Sequence, residues 1–232
     1  MDDSLRTGQS NNKSPQQQVY ALLLQRDFSE LADLCEKDKR FWRILWATLY
    51  HEDESLRWPA IEAAAGVMVR WWQAGNKESV REYVRRLLWS MCDEAGEMGW
   101  SAPQTIAEII ASIPELLEPY GSMMISRSFE EPVLVAGGLW GIGRLGTIIR
   151  EVAECSQDKI LEVFHTDDFK TLGIAAWAMG EVGLETALPY LEKLKSCNEM
   201  SRIYINSDFC QRPVSQWAQE AIVKIGTRSM AS

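Results

Sequence analysis

The sequence LWGIGRLG at residues 139–146 is matched by AWAMGEVG at residues 176–183. Aligned without gaps, both stretches contain a tryptophan, a small residue, a large residue, a glycine, a charged residue, an aliphatic residue and a final glycine. The segment EAIVKIG at residues 220–226 repeats the ending, with Val223 in place of the inner glycine. Copies spaced roughly 35 to 45 residues apart are typical of proteins built from stacked helical repeats.

The same stretch contains GIGRLG at residues 141–146, which has the G-x-G-x-x-G spacing of a dinucleotide-binding turn. That turn requires a strand–turn–helix unit within alternating strands and helices, and the surrounding sequence does not alternate in this way. The second copy has Ala178 in place of the first glycine, although the rest of the pattern survives. We therefore predict a helix that uses its glycines for close packing, despite a helix-propensity cost of about 1 kcal/mol for each one.

A longer internal match aligns HEDESLRWPAIEAAAG at residues 51–66 with HTDDFKTLGIAAWAMG at residues 165–180. Each copy begins with acidic residues that can cap a helix and continues as a helix rich in alanine and glycine. Residues 202–211 instead alternate apolar and polar side chains around Asn206 and Ser207, which predicts a short β-hairpin. We predict a disordered tail over residues 1–14 and a single domain over residues 15–232.

The segment AMGEVGLETALPYLEKL at residues 178–194 resembles the PBS-lyase-type HEAT repeat, with Leu184 where that repeat has aspartate. Residues 99–110 and 137–146 also resemble uncharacterised bacterial HEAT-repeat proteins. The spaced copies and this resemblance predict an all-α fold, an α-α superhelix or HEAT-like solenoid, and the alternation over residues 202–211 adds the short β-hairpin near the C-terminus. The resemblance also implies an alternative function, a subunit of a bilin lyase-like enzyme that attaches or detaches a phycobilin chromophore.

Composition narrows the possible partners and the location. A net charge of −9 and a pI near 4.9 argue against binding nucleic acid, which needs clustered lysine and arginine. The five cysteines are scattered without a C-x-x-C pair. This spacing is typical of reduced thiols in a cytoplasmic protein and does not predict a zinc site. The polar start is no signal peptide, and the apolar run at residues 132–143 is too short to span a membrane.

Catalytic and metal-binding patterns are weak. His51-Glu52 resembles one of the iron-binding His-Glu pairs of deoxyhypusine hydroxylase, a HEAT-repeat enzyme, but His165 is followed by threonine. The sequence has only two histidines, so neither a di-iron site nor a histidine-based triad is complete. We therefore expect no enzyme activity, no cofactor and no metal.

Two features suggest a partner-binding surface. The connection over residues 93–103 combines glycines with acids and a tryptophan, and its candidate contact residues are Glu94, Glu97, Trp100 and Pro103. The charged position of the repeat holds Arg144 and then Glu181 in the next copy. These features predict a non-catalytic scaffold, monomeric or weakly dimeric, that binds another protein through one face of the solenoid.

Overall fold

The computed structural model describes residues 14–92 and 99–229. Within them the chain is mostly helical, with one two-stranded antiparallel sheet near the C-terminus, as the sequence predicts. The helices and strands are α1 (Pro15–Gln25), α2 (Phe28–Lys37), α3 (Lys39–Thr48), α4 (Glu54–Gln73), α5 (Lys77–Ser90), α6 (Ala102–Ser112), α7 (Leu117–Ser128), α8 (Pro132–Leu145), α9 (Arg150–Cys155), α10 (Gln157–Glu162), α11 (Phe169–Val182), α12 (Leu188–Leu194), β1 (Met200–Ile205), β2 (Asp208–Pro213) and α13 (Val214–Ser229).

Side-chain caps set where several helices begin. Asp53 accepts a hydrogen bond from the backbone N–H of Ser55 at the start of α4, and Asp168 does the same for Lys170 at the start of α11. Both aspartates lie in the two aligned repeat copies, so the predicted acidic caps are confirmed. Ser14, which the sequence analysis assigned to the tail, forms a capping box at the start of α1, and residues 1–13 lie outside the described residues.

Five helices pack one against the next in the order α4, α6, α8, α11 and α13. Three of the helices between them in the sequence pack along this row, with α5 against α6, α7 against α6 and α8, and α12 against α13. The first three helices pack together and against α4. One continuous core of buried apolar side chains runs through the described helices.

Glycines allow the helices of this row to approach closely. A Cβ atom on Gly143 would lie 2.4 Å from the ring of Trp177, and one on Gly180 would lie 2.7 Å from the Cα of Ala221. Residues 141–145 continue α8 without a turn, and Gly146 follows with a positive φ of 57°. The prediction of a packing helix in place of a dinucleotide-binding turn is therefore confirmed.

The predicted hairpin is also confirmed. Strands β1 and β2 pair antiparallel with Ile205 opposite Asp208. Asn206 and Ser207 have φ values of 52° and 69°, which is the arrangement of a two-residue turn of type I′. The hairpin packs through β1 on α11 and through β2 on α13.

The stretch Pro132–Cys155 is long and apolar enough to cross a membrane by length and composition alone. It comprises α8, a 3₁₀ turn over Gly146–Ile149, and α9. In the structure 56% of its apolar window is buried inside the protein, as in the core helix of a globular fold. The stretch therefore serves as a core element of this fold.

Candidate functional site

The charged position of the repeat lies on one side of the helix row. Arg144 of α8 binds Glu108 of α6 through two hydrogen bonds, Nε to Oε2 at 2.6 Å and Nη2 to Oε1 at 2.9 Å. Lys224 of α13 donates from Nζ to Oε1 of Glu181 of α11 at 2.6 Å. Each ion pair thus joins two neighbouring helices of the row, and we call this side the charged face.

The same face extends to α4 through Glu62. Its carboxylate forms an ion pair with Arg26, which follows α1. It also accepts hydrogen bonds from the hydroxyl of Tyr204 at 2.9 Å and from the hydroxyl of Ser207 at 3.2 Å. The tip of the hairpin is therefore fastened to the first helix of the row as well as to its last two.

These groups surround a cavity of about 620 Å³, within the range of ligand-binding clefts. Its walls come from four helices of the row, from the hairpin and from the residues after α1. The lining residues are Arg26, Phe28, Glu62, Glu108, Trp140, Gly143, Arg144, Trp177, Glu181, Tyr204, Ile205, Asn206 and Ser207. The cavity is therefore formed by residues that are far apart in the sequence.

Tryptophans form the apolar part of the walls and are held by hydrogen bonds. The indole N–H of Trp140 donates to the carbonyl of Tyr204 at 2.7 Å, and that of Trp177 donates to Glu181 at 3.1 Å. Trp140 and Trp177 are both buried, so they give the cavity rigid walls. Rigid aromatic walls favour binding because little side-chain entropy is lost when a ligand arrives.

Burial and ion pairs set the charge state of two groups that line the cavity. Burial raises the pKa of Tyr204 to about 12, although the Arg26 guanidinium acts in the opposite direction, so its phenol stays neutral at pH 7. The hydrogen bonds to Glu108 raise the pKa of Arg144, which stays charged. Since the carboxylates of Glu62, Glu108 and Glu181 each face a cation, the cavity offers balanced charge.

The structure does not bring the predicted contact residues together at one place. Arg144 and Glu181 line the cavity together. Trp100 is half-buried, with the guanidinium of the buried Arg57 at 4.4 Å from its ring centroid, and it therefore ties the connection to α4. Pro103 is buried in the first turn of α6, so its ring presents no surface to a partner and we leave it out of the candidate site.

Glu94 and Glu97 lie outside the described residues. The sequence patterns did not predict the cavity residues Arg26, Glu62, Glu108 and Tyr204. Glu108 precedes Arg144 by 36 residues, which is close to the spacing of the repeat. Extending the repeat by one copy toward the N-terminus therefore identifies Glu108 as the equivalent charged residue. The other three come from outside the aligned charged position, and nothing in the repeat pattern marks them.

The histidines have structural contacts. Nδ1 of His51 accepts a hydrogen bond from the backbone N–H of Asp53 at 3.0 Å, next to the cap of α4. The ring of His165 packs edge-on against Tyr190. Over residues 14–92 and 99–229, no group of three or more histidine, cysteine, aspartate or glutamate side chains is placed to hold a metal ion.

Comparison with known proteins gives one similarity. The chain is 28% identical over 168 residues to an uncharacterised protein of Archaeoglobus fulgidus, and the alignment covers 72% of this chain and 87% of that protein. No family model and no solved structure matches the chain. That relative is archaeal, so the comparison does not support the bacterial origin that the resemblance implied.

Proposed function

We propose that this chain is a HEAT-like α-solenoid that acts as a non-catalytic binding platform and takes a segment of a protein partner into the cavity of its charged face. The order in which α4, α6, α8, α11 and α13 pack supports the solenoid, because each repeat of such a protein contacts its neighbours in sequence. The recurring sequence LWGIGRLG and AWAMGEVG falls on two adjacent helices of this row.

The observation that carries the proposal is the pairing of charges across successive repeats. Arg144 with Glu108 and Glu181 with Lys224 place cations and carboxylates in alternation along one face. A polypeptide segment matches such a surface because its amides, carbonyls and charged side chains can pair with both kinds of group. The buried Trp140 and Trp177 add an apolar wall for an anchoring side chain.

A photo-cross-linking experiment tests this proposal. Phe28, half-buried in the cavity wall, is replaced by p-benzoylphenylalanine, and the exposed Phe169 at the start of α11 is replaced in the same way as a matched control. We expect irradiation in a lysate of the source organism to attach a defined protein to position 28 and not to position 169. Equal attachment at both positions would contradict the proposal.

Binding measurements with the recombinant partner then locate the contact. We expect Arg144→Glu to weaken its affinity at least about tenfold, which corresponds to roughly 1.4 kcal/mol. Lys193→Glu on α12 makes the same change of charge away from the cavity and should leave the affinity within about twofold. The alternative, a subunit of a bilin lyase-like enzyme, predicts a different result. An added bilin would then shift its visible absorption spectrum, and the protein partner would bind outside the cavity.

A further inference from the structure

A second recess lies between α3 and α5, across the C-terminal part of α4. Its volume is about 430 Å³. The lining residues are Cys35, Lys39, Trp42, Arg43, Trp46, Trp71, Tyr83 and Arg86. We call it the aromatic groove, because four of these residues are aromatic and pack as one cluster.

The rings of the aromatic groove are fixed against one another. The ring centroid of Trp42 lies 4.6 Å from that of Trp71 and 5.1 Å from that of Tyr83. Trp46 lies 5.0 Å from Tyr83. Trp42 is buried, whereas the other three are half-buried, so the cluster keeps a partly open apolar surface.

Cations surround this surface. Lys39, Arg43 and Arg86 line the groove, and no carboxylate of residues 14–92 or 99–229 does. Among the described residues, Lys39 and Arg43 have no carboxylate within ion-pair distance, and Arg86 is paired with Glu82. The neighbouring Asp38 forms its ion pair with Arg40, whose hydrogen bonds lower the pKa of Asp38, and the more distant charge of Arg43 adds to that lowering. On a chain of net charge −9, the groove is therefore a local basic surface.

We propose that the aromatic groove binds an acidic segment of a protein partner through a proline or aromatic anchor. Aromatic-lined grooves receive such side chains, and tryptophan, tyrosine and arginine are the residues most enriched in protein interfaces. A nucleobase stacked between two aromatic rings would need the planes of those rings to be about 7 Å apart, because each stacking contact takes roughly 3.5 Å. The rings here touch one another directly, which favours a peptide lying over their exposed edges.

The aromatic groove is independent of the cavity on the charged face. Glu62 and Trp71 both belong to α4, and their separation corresponds to about two and a half helical turns. Their side chains therefore leave the helix on opposite sides. A partner in the aromatic groove and a segment in the cavity would occupy different surfaces, so variants of one surface leave the other intact.

The test is selection from a random peptide library displayed on phage, with the full chain as bait and the double variant Lys39→Glu/Arg43→Glu for counter-selection. Lys39 and Arg43 form no ion pair with any described residue. We therefore expect this double variant to give the circular dichroism spectrum of the folded wild type. The selected peptides should be rich in aspartate and glutamate and contain proline or an aromatic residue. Neutral or basic peptides, or no enrichment, would overturn the proposal.

Fluorescence anisotropy with the best labelled peptide gives the second readout. We expect at least about tenfold weaker binding for Lys39→Glu/Arg43→Glu and weaker binding at high salt. Lys193→Glu/Lys195→Glu, at the C-terminal end of α12 and directly after it, makes the same charge change elsewhere and should bind like the wild type. An affinity unchanged within about twofold by the groove variant would overturn the proposal, as would tighter binding of a single-stranded oligothymidine probe.

Removing a ring separates the aromatic contribution from the charge. Trp46→Ala removes part of the open apolar surface and should weaken peptide binding several-fold. Trp89→Ala removes a tryptophan of α5 that is 60% exposed and does not line the groove, so it should have no effect. Equal loss in both variants would overturn the proposed contact. Arg144→Glu should leave this peptide's affinity unchanged, which distinguishes the aromatic groove from the charged face.

Discussion

Tyr204 at the tip of the hairpin stacks on Trp58 of α4, with ring centroids 4.5 Å apart and ring planes within 14° of parallel. The two residues lie near opposite ends of the chain, so this contact joins its C-terminal hairpin to the first helix of the row. The Tyr204 hydroxyl extends the connection, since it donates to Glu62 and accepts from Arg26. The hairpin thus holds the cavity of the charged face in shape.

Tyr204→Ala should destabilise the protein by about 3 kcal/mol, because it removes a buried ring and leaves a void beside Trp58. Tyr204→Phe keeps the ring and should cost only about 1 kcal/mol for the lost hydrogen bonds. Urea denaturation followed by circular dichroism measures both values. If the phenylalanine variant were as unstable as the alanine variant, the hydroxyl rather than the stacking would hold the hairpin.

Gly180→Ala should destabilise the protein, although alanine is ordinarily favoured over glycine in a helix by about 1 kcal/mol. The added methyl would lie 2.7 Å from the Cα of Ala221, so α11 and α13 would have to separate. Gly66→Ala on α4 is the matched control, because among the described residues a methyl there would meet nothing within 4 Å beyond the backbone of its own helix. We expect Gly66→Ala to raise the thermal midpoint and Gly180→Ala to lower it. A rise in both would show that the helices are free to separate.

The Arg144–Glu108 pair should show a coupling free energy of about 1 kcal/mol in a double-mutant cycle of the free energy of unfolding. The Glu108 side chain is only 12% exposed, and the pair makes two parallel hydrogen bonds. Both features favour a coupling free energy at the upper end of the range for ion pairs at a protein surface. The charge-swapped variant Glu108→Arg/Arg144→Glu should recover part of the stability lost by either single change.

The pair between Glu192 of α12 and Lys195, the residue that follows this helix, serves as the control for this cycle. Both of its side chains are about half-exposed, so its coupling should lie below about 0.5 kcal/mol. Addition of 1 M salt should reduce both couplings. A coupling for Arg144–Glu108 no larger than the control would show that this bridge contributes little to the packing of α6 on α8.

Asp168→Ala should cost about 1 kcal/mol at pH 7, through loss of the cap of α11. Burial acts to raise the pKa of Asp168, but hydrogen bonds from the Thr171 hydroxyl and from the backbone N–H groups of Lys170 and Thr171 outweigh it, so the pKa is lowered. A lowered folded-state pKa stabilises the protein above the unfolded value of about 3.9 and loses that contribution as the pH falls further. The difference between wild type and Asp168→Ala should therefore shrink between pH 5 and pH 3.

Asp168→Asn is the control for this pH dependence. Asparagine also caps helices well but does not titrate, so the stability difference between Asp168→Asn and Asp168→Ala should be the same at both pH values. Urea denaturation at each pH gives the comparison. A constant difference between wild type and Asp168→Ala would mean that the ionised carboxylate adds nothing to the cap.

Local sequence patterns predicted a mostly helical chain and its hairpin correctly. The hairpin over residues 202–211 was predictable because alternation and the Asn206–Ser207 turn are properties of neighbouring residues. The repeat pattern likewise placed Arg144 and Glu181 at equivalent positions of two helices. Pro103 could not be judged in the same way, because its burial depends on the packing of α6 against α4 and α8.

By itself the sequence determined the helical character of the recurring segments, their acidic caps, the glycines that permit close packing and the hairpin, since each depends on side chains a few residues apart. Only the tertiary structure decided that Arg26, Glu62 and Tyr204 meet at one cavity with Arg144 and Glu181. The hairpin tip reaches α4 through ring stacking and hydrogen bonds between the two ends of the chain. Such contacts depend on how many helices are stacked and at what angles, and the repeat pattern encodes neither.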